Sequence, residues 1–366
     1  MFFLNKIKIF KTNRASIWSL KWNTLGTFLI SCGADGCVFI WGLTSSEISF
    51  DSKIRSLIEK KIYSNWNCIT FQMKGPNKTT HRTLSISKNV YQIGISTFTG
   101  DTKICKIFFP KNIRKIFLTK LEVLNGPTSE IKNCSFSPDG SNLIACSRNK
   151  MVWNWEKDSK NFFNSFFVLE NHESDIKQSI WHPQFGIILT STYEGNVRLF
   201  QKNLEEIWII SSLRFSFFSI FTITTDESGE KIIFSSTKGE LFIFPFWKNF
   251  FNKSFYFSKK NSAFFFFSIG NHSIFKFDIS KSNFFFSLSG KDDSLHILKI
   301  CSIWVWDKIF KIFYIGIRYF EILSFENSVI RSHCGNLNNL AWHPKNENLV
   351  ASCSEDSCII LWNFSE

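Results

Sequence analysis

None of the chain's ten cysteines forms a CxxC pair or the Cys/His spacing of a zinc or cluster site. Cys32 with Cys37 and Cys353 with Cys358 share one five-residue offset in equivalent stretches, which fits free thiols in β-strands and predicts no metal bound by the chain itself. No stretch reaches the roughly 18 uncharged apolar residues of a spanning helix. Even 264–277 is cut by Asn271, His272 and Lys276. Residues 1–11 are interrupted by Lys6 and Lys8 and lack a small-residue cleavage site, so they read as a strand and no membrane association is expected. A glycine-rich phosphate loop is missing, and so is a nucleophile elbow with its oxyanion loop. No cofactor is therefore expected, and the absences point away from an enzyme.

What is present is apolar and basic. Hydrophobic residues make up 44% of the 366 and charged ones 20%, enough to bury a large core and far from the composition of a disordered chain. Phe, at 44 copies, travels with abundant Lys, Asn and Ile, the mark of an AT-rich coding sequence. The formal net charge of +13 raises the question of nucleic acid. Lys is spread along the whole chain without a dense basic block, so coding bias is the preferred explanation and nucleic acid is not the expected partner.

A unit recurs. It reads His172, Asp175, Ile176, then Ile180, Trp181, His182, Pro183, then Leu189, Thr190, Ser191, then Gly195, Val197, Leu199, Phe200. The end of the chain repeats it with His333, Trp342, His343, Pro344, Ser352, Ser354, Asp356 and Trp362, and the start with Trp22, Ser31, Asp35 and Trp41. Short apolar runs of period two, separated by turns such as Ser137-Pro138-Asp139-Gly140, describe antiparallel strands and tight hairpins. This resembles the WD40 repeat. Third strands are expected to end at Trp41, Ile107, Trp155, Phe200, Phe244, Leu298 and Trp362, and the central spacings approach the ~40–45 residues of one four-stranded blade. The expected fold is all-β, a single seven-bladed propeller domain over 1–366, with an N-terminal strand near residues 5–10 completing the last sheet and covering its edge. Residues 215–289 are the least regular.

Ser, His and Asp recur within the repeats, but they serve as a structural network in WD40 blades. His333, Ser354 (or Ser352), Asp356 and Trp362 are the expected set in the last one. Function is expected in loops on one end of the ring. In each repeat the residue before the acidic turn position, and those four and six before the end of strand one, should point there. The rule selects Trp18 and Ser16, Glu130, Lys132 and Arg148, Asp175, Lys177 and Tyr193, and Asn336, Asn338 and Glu355. Trp, Tyr and Arg are the side chains enriched at interface hot spots. Arg148 is the sharpest candidate, because Asn149 replaces the usual acidic residue and is expected to leave the guanidinium free for a carboxylate, unless Glu130 or a backbone carbonyl takes it.

The stretch LIACSRNKMVWNW at 143–155, with His172, Asp175-Ile176-Lys177, Trp181-His182-Pro183 and Val197-Arg198-Leu199, resembles the WD40 proteins of cytosolic iron-sulfur protein assembly. Ala341-Trp342-His343-Pro344, Ala351-Ser352-Cys353-Ser354 and Ser31-Cys32-Gly33 are similar too, so the resemblance covers blades one, three, four and seven. It implies a non-enzymatic scaffold of the targeting complex, partnered by targeting subunits and apoprotein clients awaiting a [4Fe-4S] cluster, with the arginine matching Arg148 on the recognition face. It also implies a cytoplasmic location, with the nucleus or the remnant cytoplasm of a reduced endosymbiont left open. Where some members carry Leu-Tyr-Arg for a co-chaperone, this chain has Leu199-Phe200-Gln201, so that contact is not carried over. The alternative function is a WD40 scaffold subunit of a chromatin or RNA-processing complex, which would bind nucleic acid with strong salt dependence.

Overall fold

The computed structural model describes residues 3–12, 15–43, 66–72, 79–88, 92–108, 117–170, 172–214, 218–245, 265–268, 274–280, 285–290, 295–307, 312–322 and 333–365. Among these there is no helix, and every strand belongs to a four-stranded antiparallel sheet. The first sheet runs β2 (Ile17–Trp22), β3 (Phe28–Gly33), β4 (Cys37–Leu43), β5 (Trp66–Gln72). The second is β6 (His81–Ile86), β7 (Gln92–Thr97), β8 (Thr102–Phe108), β9 (Phe117–Leu124), and the third β10 (Ile131–Phe136), β11 (Asn142–Ser147), β12 (Val152–Lys157), β13 (Phe163–Leu169). Then come β14 (Ile176–Trp181), β15 (Ile188–Thr192), β16 (Asn196–Lys202), β17 (Trp208–Arg214), followed by β18 (Ile220–Thr225), β19 (Lys231–Ser236), β20 (Glu240–Pro245), β21 (Phe265–Ser268). The next holds β22 (Ile274–Ile279), β23 (Phe285–Gly290), β24 (Leu295–Asp307), β25 (Ile312–Ile322). The last holds β26 (Leu337–Trp342), β27 (Leu349–Ser354), β28 (Cys358–Ser365), and its fourth member is β1 (Phe3–Lys11) from the other end of the chain. β1 pairs with β28 from Phe3 opposite Ser365 to Lys11 opposite Cys358.

Each sheet is a propeller blade, and its first strand lies innermost. β6 contacts β2 and β10, β14 contacts β10 and β18, β22 contacts β18 and β26, and β26 contacts β2. Because neighbouring sheets cover both faces of a blade, the second strands do not alternate. Phe28–Gly33 and Leu349–Ser354 are buried at every position, which their apolar and small residues allow. The expected anchors Trp41, Trp155, Phe200 and Trp362 are all buried in third strands, each such side chain stabilising the fold by about 1.5–3 kcal/mol. In the sheet of β22, the third strand continues past Leu298 to Asp307, so residue 298 lies early in that strand.

The inner strands leave one edge without a ladder partner, and buried backbone N–H groups must be satisfied. Side chains from the preceding sheet do this. Ser19 Oγ accepts from Leu84 N at 3.4 Å, Ser85 Oγ from Phe136 N at 3.1 Å, Gln178 Oε1 from Ile223 N at 3.3 Å and Asp278 Oδ2 from Trp342 N at 2.8 Å. At the opposite end of the blades, histidines after strand one reach the next sheet. His182 Nε2 donates to Gly229 O at 2.8 Å, and His343 Nε2 donates to Gly26 O at 2.9 Å, joining the chain's last sheet to its first. Nδ1 of His343 accepts from the N–H groups of Lys345 and Asn346, so only the neutral tautomer fits. Gly26 has φ +73°, and a Cβ there would stand 2.3 Å from His343 Cε1.

Burial holds both histidines below their usual pKa, partly countered by the glycine carbonyls. A folded pKa below the unfolded one gives stability that is complete above about pH 6.5 and lost as pH falls. His81, drawn down to about 4 by burial and then by Lys103, acts in the same direction. Unfolding free energy from urea titrations is therefore expected to fall steadily between pH 6.5 and 4. Gly26→Ala should lose about 1–2 kcal/mol from the left-handed backbone alone, and a wild-type midpoint for that variant would refute the His343 contact.

Candidate partner-binding face

One irregularity positions the candidate residues. In each inner strand the ladder to the second strand slips at the second residue, between Ile17 and Ser19, His81 and Thr83, Ile131 and Asn133, Ile176 and Gln178, Ile220 and Thr222, Ile274 and Lys276, and Leu337 and Asn339. The slip is a β-bulge, which leaves one residue unpaired and re-aims its side chain. Trp18, Arg82, Lys132, Lys177, Phe221 and Asn338 occupy six of these seven positions, and all six line one cavity of about 270 Å³ at the end of the central channel. Asn336 and Glu355 share its wall.

A second contact repeats around the rim. The backbone N–H of the residue in the turn between strands two and three donates to the carbonyl of the residue preceding strand one. Arg148 N reaches Glu130 O at 2.9 Å, Tyr193 N reaches Asp175 O at 3.2 Å and Glu355 N reaches Asn336 O at 3.1 Å. The two residues selected outside each strand are therefore bonded to each other. Ser16, whose carbonyl accepts from Ala34 N, completes the pattern in the first sheet.

The rim is an ion-pair relay that crosses blades. Glu130 sits 3.4 Å from Arg82 Nε and 2.5 Å from Lys132 Nζ. The Arg82 guanidinium lies 4.4 Å from the Trp18 ring centre and 5.7 Å from that of Phe98. Lys177 donates to the Tyr193 hydroxyl and lies 4.3 Å from the Phe221 ring. The expectation of a free Arg148 guanidinium is not met. Its Nε pairs with Asp175 Oδ2 of the following blade at 3.6 Å, although the side chain remains 67% exposed. Asn149 instead accepts the hydroxyl of Ser147. An exposed pair of this kind contributes about 0–1 kcal/mol, little enough for a ligand carboxylate to exchange for it.

Arg82 and Phe221 escaped the sequence rule. Counting back four residues from the end of strand one, Ile86 and Thr225, reaches both, but neither strand ends in an aromatic residue like the Trp22, Phe136, Trp181 and Trp342 that mark the register where the rule was applied.

In the last blade, His333 Nδ1 lies 2.9 Å from Asp356 Oδ2, and Nε2 lies 2.8 Å from Ser352 Oγ, which accepts Trp362 Nε1 at 2.8 Å. The network therefore runs through Ser352. Ser354, two residues further along the same face of β27 and named in the expected set, donates to Gly335 O at 2.8 Å. Burial raises the Asp356 carboxyl, but His333 and the N–H groups of Cys334 and Cys358 outweigh it and bring it to about 2. A relay buried this way, capped by Trp, is architecture for the blade.

Among the described residues no group of three or more His, Cys, Asp or Glu could hold a metal, and Cys32, Cys37, Cys134, Cys146, Cys334, Cys353 and Cys358 are free thiols. No helix among them is long and apolar enough to cross a membrane.

The chain carries WD40 repeats. The model of the family described as WD domain, G-beta repeat matches residues 4–42, 118–156 and 325–363. Part of the chain is homologous to cytosolic iron-sulfur protein assembly proteins. It is 35% identical over 83 residues to a "Probable cytosolic iron-sulfur protein assembly protein 1" of Botryotinia fuckeliana, covering 21% of this chain and 19% of that protein. A Caenorhabditis elegans protein named as a CIAO1 homolog in the same assembly is 26% identical over 148 residues, 40% of this chain and 38% of its own length. The matched segments thus span from about a fifth to two fifths of these relatives.

Ser352→Ala would strand His333 Nε2 and Trp362 Nε1, two buried groups at about 1–3 kcal/mol each. A loss on the order of 3 kcal/mol is expected, against about 1 kcal/mol for Ser354→Ala. Equal losses in chemical denaturation would contradict the Ser352 network. The depressed Asp356 carboxyl contributes stability that is complete above pH 4 and disappears between about pH 4 and 2.

Proposed function

We propose that the chain is a non-enzymatic docking scaffold of cytosolic iron-sulfur protein assembly, a single domain over 1–366 whose sheets form a closed seven-bladed ring. The observation that carries this reading is the homology to relatives named for that process. The geometry agrees with it, because the family-like CSRNK turn at 146–150 lies on the rim of the bulge-lined face. Apoprotein clients and the targeting subunits that deliver a [4Fe-4S] cluster are the partners, in the cytoplasm. The client site comprises Arg148, Tyr193, Glu130 and Asp175 on the rim, with Trp18, Lys132, Lys177 and Asn338 inward of them. A client carboxylate takes the place of Asp175 on Arg148, while Tyr193, 41% exposed, supplies aromatic contact area.

Anaerobic affinity purification of the wild-type chain and Arg148→Ala in parallel tests this reading. Iron-sulfur apoproteins and targeting subunits are expected with the wild type, and a hot-spot arginine worth about 2 kcal/mol would cut client recovery about thirtyfold in the variant. The variant should melt within a degree or two of wild type, since the lost ion pair is exposed. Histones or splicing proteins recovered equally from both would favour the second reading, a chromatin or RNA-processing scaffold suggested by the +13 charge.

A further inference from the structure

The channel beneath the face carries a charge arrangement that extends past the proposed client site, which shares Lys132 and Lys177 with it but not Arg82 or Lys276. Arg82, Lys132, Lys177 and Lys276 converge on the one cavity from four different sheets, with amide groups of Asn133 and Asn338 between them. Glu355 is the one acidic residue among its lining groups. We propose that this cavity binds a small polyphosphate, a compact anion of two or three linked phosphoryl groups.

The architecture does not call for these cations. What the open inner edge lacks is acceptors for its N–H groups, and Ser19, Ser85, Gln178 and Asp278 supply them. An ammonium has no acceptor and cannot do that work. Gathering like charges is instead costly, and the costs are visible. Burial, then Lys132 and Arg82, lower Lys177 to about 8 against the opposing pull of Asp175 and Glu130. Burial and then Lys21 lower Lys276 to about 7, against Asp278 and Cys146, with Arg82 acting in the lowering direction. An anion between them relieves both.

Phosphate fits better than carboxylate. Planar bidentate recognition of a carboxylate belongs to arginine, and the cavity's arginine is already set against Glu130 and stacked on Trp18. Lys132 shares Glu130 at 2.5 Å, while Lys177 and Lys276 are rotatable point charges suited to tetrahedral, multiply charged groups. The volume, about 270 Å³, falls below the ~300–1,000 Å³ of sites for drug-sized ligands. It suits a short polyphosphate and leaves no room for a polymer.

Isothermal titration of the full chain with inorganic tripolyphosphate at physiological salt tests the proposal. Saturable one-to-one binding is expected, weakened at least tenfold in Lys276→Gln and in Lys177→Gln and unchanged in Arg148→Ala, whose side chain is not part of the cavity wall. If Lys276→Gln does not fold, Lys177→Gln decides alone. Absence of saturable binding or wild-type affinity in the lysine variants would overturn the site. Equal binding of citrate would overturn the phosphate assignment, and equal displacement by a single-stranded oligonucleotide would make the cluster a nucleic-acid surface. Because Arg148 is outside the cavity, failure of client docking and failure of this site are separately visible.

Discussion

The second residue of every inner strand falls out of register with its neighbour, and the functional face depends on that slip. A regular strand would send alternate side chains to the two flanking sheets, where the packing is already complete. The bulge removes one residue per strand from that alternation without disturbing the rest, so Ile17 and Ser19 or Ile131 and Asn133 keep buried or channel-lining places around Trp18 and Lys132. The residue so released can be anything the fold's interior would refuse. That freedom explains how Trp, Arg, Lys, Phe and Asn stand at equivalent positions.

A repeated sheet has the further problem of joining its neighbours with no ladder between them. The solution here is side chain to backbone: histidine to a glycine carbonyl at one end of the blades, channel-lining acceptors to N–H groups along the inner edge. These contacts are short and local to one interface, so each blade is held by the two beside it. They also demand neutral imidazoles, which makes the same joints the acid-sensitive points of the fold.

The repeat spacing and the Trp-ended strands make the four-stranded blades legible from sequence, and the register rule finds the rim because it describes two real contacts. The residues it picks outside strand one are hydrogen-bonded partners, as with Glu130 and Arg148. The rule fails where its ruler is missing: without a terminal aromatic residue, the strands ending at Ile86 and Thr225 hid Arg82 and Phe221. Arg148 shows a different limit. Local sequence reveals the loss of its acidic neighbour at Asn149, but Asp175, which replaces it, arrives from the next blade, and pairing between blades is a property of the ring's geometry. Choosing between Ser352 and Ser354 is beyond strand alternation, because residues two apart share one face of β27 and only the position of His333 along the strand decides which one it meets.

Electrostatics separates the rim from the channel. On the rim, Glu130 and Asp175 answer Arg82, Lys132 and Arg148 within salt-bridge distance, so positive charge there is largely balanced and open to exchange with a partner's carboxylates. Deeper in, burial and then Lys21 lower the pKa of Lys276, with Asp278 opposing them. Coding bias can supply lysines across a surface, where they cost little. It does not account for their persistence in a confined channel, where each added charge is opposed by desolvation and by its neighbours. Asp278 supplies part of the compensation at Lys276, and a bound anion would add to it.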